Sequence, residues 1–260
     1  MRKLEFLYEM KLEFDGGEVD WHSFSLRCLP KMTCFQHITK LSVEISPYTS
    51  ITKSFDAFGN QICSGYIEEP HDYFSFKISG TALTNSESID MGSVNPLFRY
   101  ATPQTTLTSG YEPFLEAAAK KHDPIQKVMA MSELLYKNFV YKSFTTNTTT
   151  TAQQALNQGC GVCQDYSHIL ISLCRMLKIP ARYVAGFMFG EGATHAWVEF
   201  YGRGHWIGID PTNDCMVDDK YIKLSEGRDA SDCIVDKGVF FGNVRQKQTV
   251  NVSVKEIPLR

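Results

Sequence analysis

The sequence predicts an α+β fold in two parts, a β-sandwich followed by a helical segment that gives way to a second set of strands. Three observations predict it. The first ~90 residues alternate or are β-rich and show no competing helical period. Residues 92–112 then interrupt the pattern with two prolines and two glycines. Beyond them helices come first and strands second, the order of an α+β unit rather than a βαβ repeat. The expected division is an N-terminal β-rich domain over residues 1–95, a linker over 96–112 and an α+β domain over 113–260.

In the first part, KLEFLYEMKLEF, SFSLRCLP, ITKLSVEISP and YFSFKISGTAL read as strands, with turn chemistry at Asp56-Ala57-Phe58-Gly59-Asn60 and Glu69-Pro70-His71. In the second part, Pro113 to His122 reads as a short helix. Asp123-Pro124 supplies an N-cap and a first-turn proline for IQKVMAMSELLYKNFVY. Ile125, Val128, Met129, Leu135 and Phe139 share one face of that helix. Thr145 to Thr151 reads as a loop. Thr151 and Gln154 fit a capping box for a short helix ending at Gly159. In CQDYSHILISLCRMLKIP, Tyr166, Ile169, Leu170, Leu173 and Leu177 recur at three and four, and Pro180 ends the helix. Strands follow at ARYVAGFMF, HAWVEFYG and HWIGID, and the tail segments VFFGNV and QTVNVSVKEI add further strand character.

Composition narrows the function classes. The 260 residues are 43% hydrophobic and 21% charged, with a formal net charge of −3. A nucleic-acid binder would show a basic excess, so no nucleic-acid partner is expected. There is no window of ~18 apolar residues for a membrane span. The opening apolar run is broken by Glu5, Glu9 and Lys11, unlike a secretory leader. The expectation is a cytoplasmic protein without a membrane partner. The eight cysteines are spread along the chain and read as reduced thiols.

Cys163 falls at the start of the central helix, after Gly159-Cys160-Gly161-Val162. Unsatisfied N–H groups and the positive dipole end of a helix favour a thiolate there. On its own this position is compatible with a buried structural cysteine. His195 opens the segment HAWVEF, and alternation puts His195, Trp197 and Glu199 on one face and Ala196, Val198 and Phe200 on the other. Asp210 closes the strand WIGID, ~15 residues on, the spacing of an antiparallel hairpin that would pair the two strands. An aspartate beside the histidine would fix its tautomer and steady its charged form. Nucleophile, base and orienter are thus present in order, on a helix, a strand and the adjacent strand.

Other readings of these residues are weaker. Cys160-x-x-Cys163 could suggest zinc, but a structural zinc site needs four ligands and no second such pair exists. A dithiol redox motif would follow a strand in a βαβ unit, whereas here it follows the helix-like AQQALNQ. Oxidation could still join Cys160 to Cys163 as a protective or regulatory disulfide. His168 lies about 140° around the helix from Cys163 and points elsewhere. His205 reads as a turn residue, Asp165 as a helix cap, Trp197 as core or pocket wall. Gln158 could donate to an oxyanion but reads more simply as a helix-end surface residue. The acidic loop Asp214 to Asp219 lacks a calcium-ligand pattern. No metal or other cofactor is expected.

The segments GVCQDYSHILISLCRMLKIPARYVAGF, THAWVEF and WIGIDPTND resemble the transglutaminase-like superfamily, which shares a papain-type active-site arrangement. Tyr221-Ile222-Lys223-Leu224 and Gly227-Arg228-Asp229 resemble the tail of its bacterial members. Leu29-Pro30, Gln36, Asp56 to Asn60 and Pro70-His71 resemble their β-rich N-terminal domain. One departure is Ala230, where an aromatic is expected; it touches no triad position. The resemblance implies a transglutaminase-like, papain-like core with Cys163 as nucleophile, His195 as base and Asp210 as orienter. It further implies acyl transfer at peptide or glutamine-type amides through a thioester, with a peptide or protein as substrate. Hydrolysis, as in a cysteine protease or amidase, is the expected outcome. Protein cross-linking by the same thioester, or a catalytically silent binding module, are the alternatives.

Overall fold

Strand β1 (Arg2–Asp15) follows directly from its sequence, because Leu4, Phe6, Tyr8, Met10, Leu12 and Phe14 fall at every second position, mostly alternating with charged residues, and all six are buried. The structure is a computed structural model that describes residues 1–259. After β1 come β2 (Trp21–Leu26), β3 (Gln36–Ser46), β4 (Thr52–Phe55), β5 (Gln61–Ile67) and β6 (Tyr73–Thr84). The stretch expected as a linker forms two 3₁₀ turns, Pro96–Arg99 and Pro103–Thr105. It is packed rather than free: Arg175 reaches it with Nε donating to the Phe98 carbonyl at 3.2 Å and a guanidinium nitrogen to Thr105 Oγ1 at 2.7 Å.

Helices α1 (Glu112–Ala119) and α2 (Pro124–Asn138) follow, then β7 (Val140–Tyr141), α3 (Ala152–Gln158), β8 (Cys160–Gly161) and α4 (Cys163–Met176). α2 stops short of the expected FVY because Val140 and Tyr141 pair in parallel with Cys160 and Gly161. The rest is strands: β9 (Ala181–Met188), β10 (Gly190–Gly192), β11 (His195–Gly202), β12 (His205–Asp210), β13 (Cys215–Met216), β14 (Tyr221–Gly227), β15 (Asp236–Phe241) and β16 (Arg245–Glu256), with a 3₁₀ turn at Ala230–Cys233.

These strands make three larger sheets. Two of them, ordered β10-β16-β1-β6-β3 and β15-β2-β5-β4, face each other as a sandwich around Phe6, Tyr8, Phe24, Phe74, Phe76 and their neighbours. The tail therefore returns to the beginning. β16 pairs with β1 along twelve residues, from Leu4 opposite Glu256 to Asp15 opposite Arg245, and β15 pairs with β2. The third sheet, β13-β12-β11-β9-β14, carries the helices on one face, where Ala196, Val198 and Phe200 pack against Tyr166, Ile169, Leu170 and Leu173 of α4. Towards the β14 edge of the sheet, Phe187, Ile222 and Leu224 join the sandwich core, and the Phe187 ring stacks on Tyr8 at 5.7 Å. The result is the strand-rich α+β arrangement expected. Among the described residues no helix is long and apolar enough to cross a membrane.

Candidate active site

The position of Cys163 is set by how two helices are joined. α3 ends at Gly159, whose φ of 70° closes the helix in the left-handed region that glycine adopts without strain. Cys160 and Gly161 then run beside β7, and Val162 caps α4. Asp165 completes the start of α4: its Oδ2 accepts the Val162 N–H at 2.8 Å and the Thr146 hydroxyl at 2.7 Å. A Cβ at Gly161 would overlap that carboxylate, so glycine two residues before the sulfur is what leaves Asp165 in place. Cys163 is the first helical residue and is partly exposed. First-turn N–H groups lack acceptors within the helix, and they point where negative charge at the sulfur or on a bound oxygen would sit.

The hairpin of β11 and β12 supplies the other two residues. Val198 pairs with Ile209 and Gly202 with His205, which carries Asp210 back alongside the start of β11. His195 Nε2 lies 2.7 Å from Asp210 Oδ2. Facing a carboxylate, Nε2 carries the proton and donates it, which leaves Nδ1 for the Cys163 thiol. Burial works against the imidazolium. The hydrogen bond to Asp210 and then the influence of the nearby Cys163 sulfur more than offset it, and the ring is pushed up to about 10. Burial would likewise raise Asp210, which is fully buried. Hydrogen bonds from His195, Asn213 and Tyr221 instead hold it below the usual carboxylate range. The structure thus brings together Cys163, His195 and Asp210, the three residues singled out from the sequence, from a helix and two adjacent strands.

The neighbouring candidates fall elsewhere. Gln158 donates to the Thr145 carbonyl at 3.1 Å and touches the Cys160 sulfur at 3.5 Å, so its amide serves the loop. His168 is wholly buried, its Nε2 accepting the Ala230 N–H at 3.0 Å, and burial pulls it down to about 4. His205 opens β12, paired with Gly202 across the Arg203-Gly204 turn, rather than lying in the turn as its sequence suggests. All eight cysteines, Cys160 included, are free thiols.

Sequence reasoning missed the second donors to Asp210. Tyr221 donates its hydroxyl to Oδ2 at 2.9 Å and Asn213 its side-chain amide at 2.7 Å, while the backbone N–H groups of Thr212 and Asn213 reach Oδ1 at 2.9 and 3.3 Å. The DPTN segment held part of this signal, since an aspartate before a turn receives the turn's N–H groups. Also missed was a charge network behind the sheet. Arg182 Nε donates to Glu199 at 2.6 Å, Lys223 to Glu199 at 2.7 Å and to Glu226, and Lys31 pairs with Glu226 at 3.0 Å.

Residues 114–211 match the transglutaminase-like superfamily core, and residues 13–82 match the bacterial transglutaminase-like N-terminal region. An uncharacterized protein of Mycobacterium leprae is 26% identical over 83% of this chain and 85% of its own length. One from Mycobacterium bovis is 27% identical over 88% and 83%. Among solved structures, a candidate cysteine protease from Cytophaga hutchinsonii superposes with a TM-score of 0.83 at 24% identity, covering all of this chain and 92% of that one. That likeness establishes the shared fold. With its core and its N-terminal region both matched, the chain belongs to the transglutaminase-like superfamily in its bacterial form.

Proposed function

We propose that the protein is a cysteine-dependent amidase or protease in which Cys163 is the nucleophile, His195 the general base and acid, and Asp210 the residue that orients the histidine. The observation carrying this reading is the His195 Nε2–Asp210 Oδ2 contact of 2.7 Å on a ring whose proton affinity the nearby Cys163, first residue of a helix, also raises. With the imidazolium holding its proton on Nδ1, the sulfur attacks as the thiolate on an amide carbonyl of a peptide or protein substrate. The carbonyl π pair moves onto oxygen, and the oxyanion meets the N–H groups at the start of α4. As the C–N bond breaks, the imidazolium returns its proton to the departing amine, leaving a thioester. Water then attacks that carbonyl, His195 takes the water's proton, and the sulfur departs to regenerate the thiolate. An amine in place of water would turn the same thioester into a cross-link.

Incubation with a glutamine-containing protein and a labelled primary amine separates the outcomes. The expected result is peptide cleavage or ammonia release without label uptake, abolished in Cys163→Ala. Full amide hydrolysis by Cys163→Ala would overturn the proposal, and stoichiometric label uptake would move it to transamidation.

A further inference from the structure

The edge strand β14 has an unusual neighbour. On its free side, where another strand would pair, it meets two side-chain amides from the sandwich. Gln36 accepts the Lys223 N–H at 2.8 Å and donates to the Lys223 carbonyl at 2.9 Å. Asn60 accepts the Glu226 N–H at 2.8 Å and donates to the Glu226 carbonyl at 2.8 Å. Each amide reproduces the two-way bonding of a paired strand residue. Just before β14, Thr84 donates its hydroxyl to the Asp219 carbonyl at 2.6 Å and Arg2 Nε bonds the Asp219 carboxylate at 2.7 Å. The sandwich therefore fixes both ends of the segment 219–226 by its backbone.

That segment begins its strand with Tyr221. The ring is buried, stands edge-on to Trp197 at 5.3 Å and lies 6.3 Å from the His195 ring. Its hydroxyl donates to Asp210 Oδ2, the oxygen that also receives His195. Resting on the catalytic reading above, we propose that Tyr221 is a positioning residue for the Asp210–His195 pair, and that Gln36 of the N-terminal sandwich holds it there through β14. The sandwich is on this account part of the catalytic apparatus.

The consequence is a specific one. Three donors share Oδ2, and each hydrogen bond that the oxygen accepts leaves less negative charge for the others. Tyr221 thus moderates the grip of Asp210 on the imidazolium. The titratable groups facing this pair are Cys163 from α4, Tyr221 from β14 and Cys215 from β13, whose sulfur lies 3.6 Å from the Tyr221 hydroxyl. Burial and the adjacent Asp210 raise Tyr221 far above the ordinary phenol value, so it remains a donor throughout.

The test is the pH profile of Cys163 alkylation by iodoacetamide, followed on the Cys163 peptide by mass spectrometry so that Cys34 and Cys215 do not interfere. No substrate is needed. In Tyr221→Phe the alkaline step, where His195 releases its proton, is expected to move up by roughly half a unit. Gln36→Met is expected to move it in the same direction by less, because β14 loses one of its two amide clamps. A step in Tyr221→Phe that stays in place or moves down overturns the positioning role. A shift in Tyr221→Phe with none in Gln36→Met overturns the part given to the sandwich. Absence in the unaltered protein of any alkylation of Cys163 faster than that of Cys34 and Cys215 would instead sink the catalytic reading itself, which distinguishes the two failures.

Discussion

Protonated His195 links the stability of this site to pH in a definite direction. Its folded value, about 10, lies above the ordinary 6.5, so the folded state holds the proton more tightly. That contribution is complete below about 6.5 and disappears as pH rises through 10. Asp210 works from the other side: its value is depressed from 3.8, so its contribution is present above that pH and is lost on acidification. The stability gap between the protein and His195→Gln should therefore be widest between about pH 4 and 6.5 and close in strong alkali, as read by urea denaturation across pH. Two residues before the sulfur, Gly161→Ala should drive Asp165 off the Val162 N–H, lower stability by about 1–2 kcal/mol and slow Cys163 alkylation. Thermal unfolding and the alkylation rate check both. At this scale the sequence was informative where residue type and element start coincide: Cys163 at a helix start, His195 and Asp210 at the ends of hairpin strands. Tyr221 and Asn213 could not be read in the same way, since nothing local marks a tyrosine or an asparagine as a donor to a carboxylate.

Among elements, β14 gains its place from partners far away in sequence. Gln36 and Asn60 lie 187 and 166 residues from the groups they bond. Its own sequence, YIKLSEG, puts Ile222 and Leu224 into the sandwich core and sends Lys223 and Glu226 into the charge network. A buried strand carrying a lysine and a glutamate looks like a loop until its partners are known, and no strand was expected there. The network sets Lys31, Arg182 and Lys223 against Asp90, Glu199 and Glu226, with the Arg182 guanidinium also lying 4.0 Å over the Trp206 ring. The cations, outweighing burial, hold Glu226 well below the ordinary carboxylate value. Removing one buried member strands its partners' charge, so Glu199→Ala should cost about 3–5 kcal/mol in chemical denaturation, with Glu199→Gln costing less. The helices were the easier elements, because their apolar spacing and caps lie within one local window, as Thr151–Gln154 before α3 and Asp123–Pro124 before α2 illustrate.

At the level of the whole molecule, the first and last strands are neighbours. The strand character of the tail was readable from alternation in QTVNVSVKEI, but alternation fixes which face a strand buries and says nothing of which strand lies beside it. β15 and β16 insert into the two sheets of the sandwich, so a chain ending at residue 235 should lose the sandwich cooperatively rather than merely its tail. Far-UV circular dichroism and gel filtration of that truncation should show lost strand signal and aggregation, with the Leu4, Phe6 and Tyr8 row no longer covered by Val252 and Val254. The same pairing imposes a timetable on biosynthesis. β1 is made well before β16, the strand that seals its second side, and translation of the intervening chain takes on the order of tens of seconds. Over that interval the nascent sheet presents an open, aromatic-rich edge of the kind that recruits foreign strands. Closure of the sandwich therefore waits on a strand made long after β1, and a cell making this protein has to shield that edge for as long as the wait lasts.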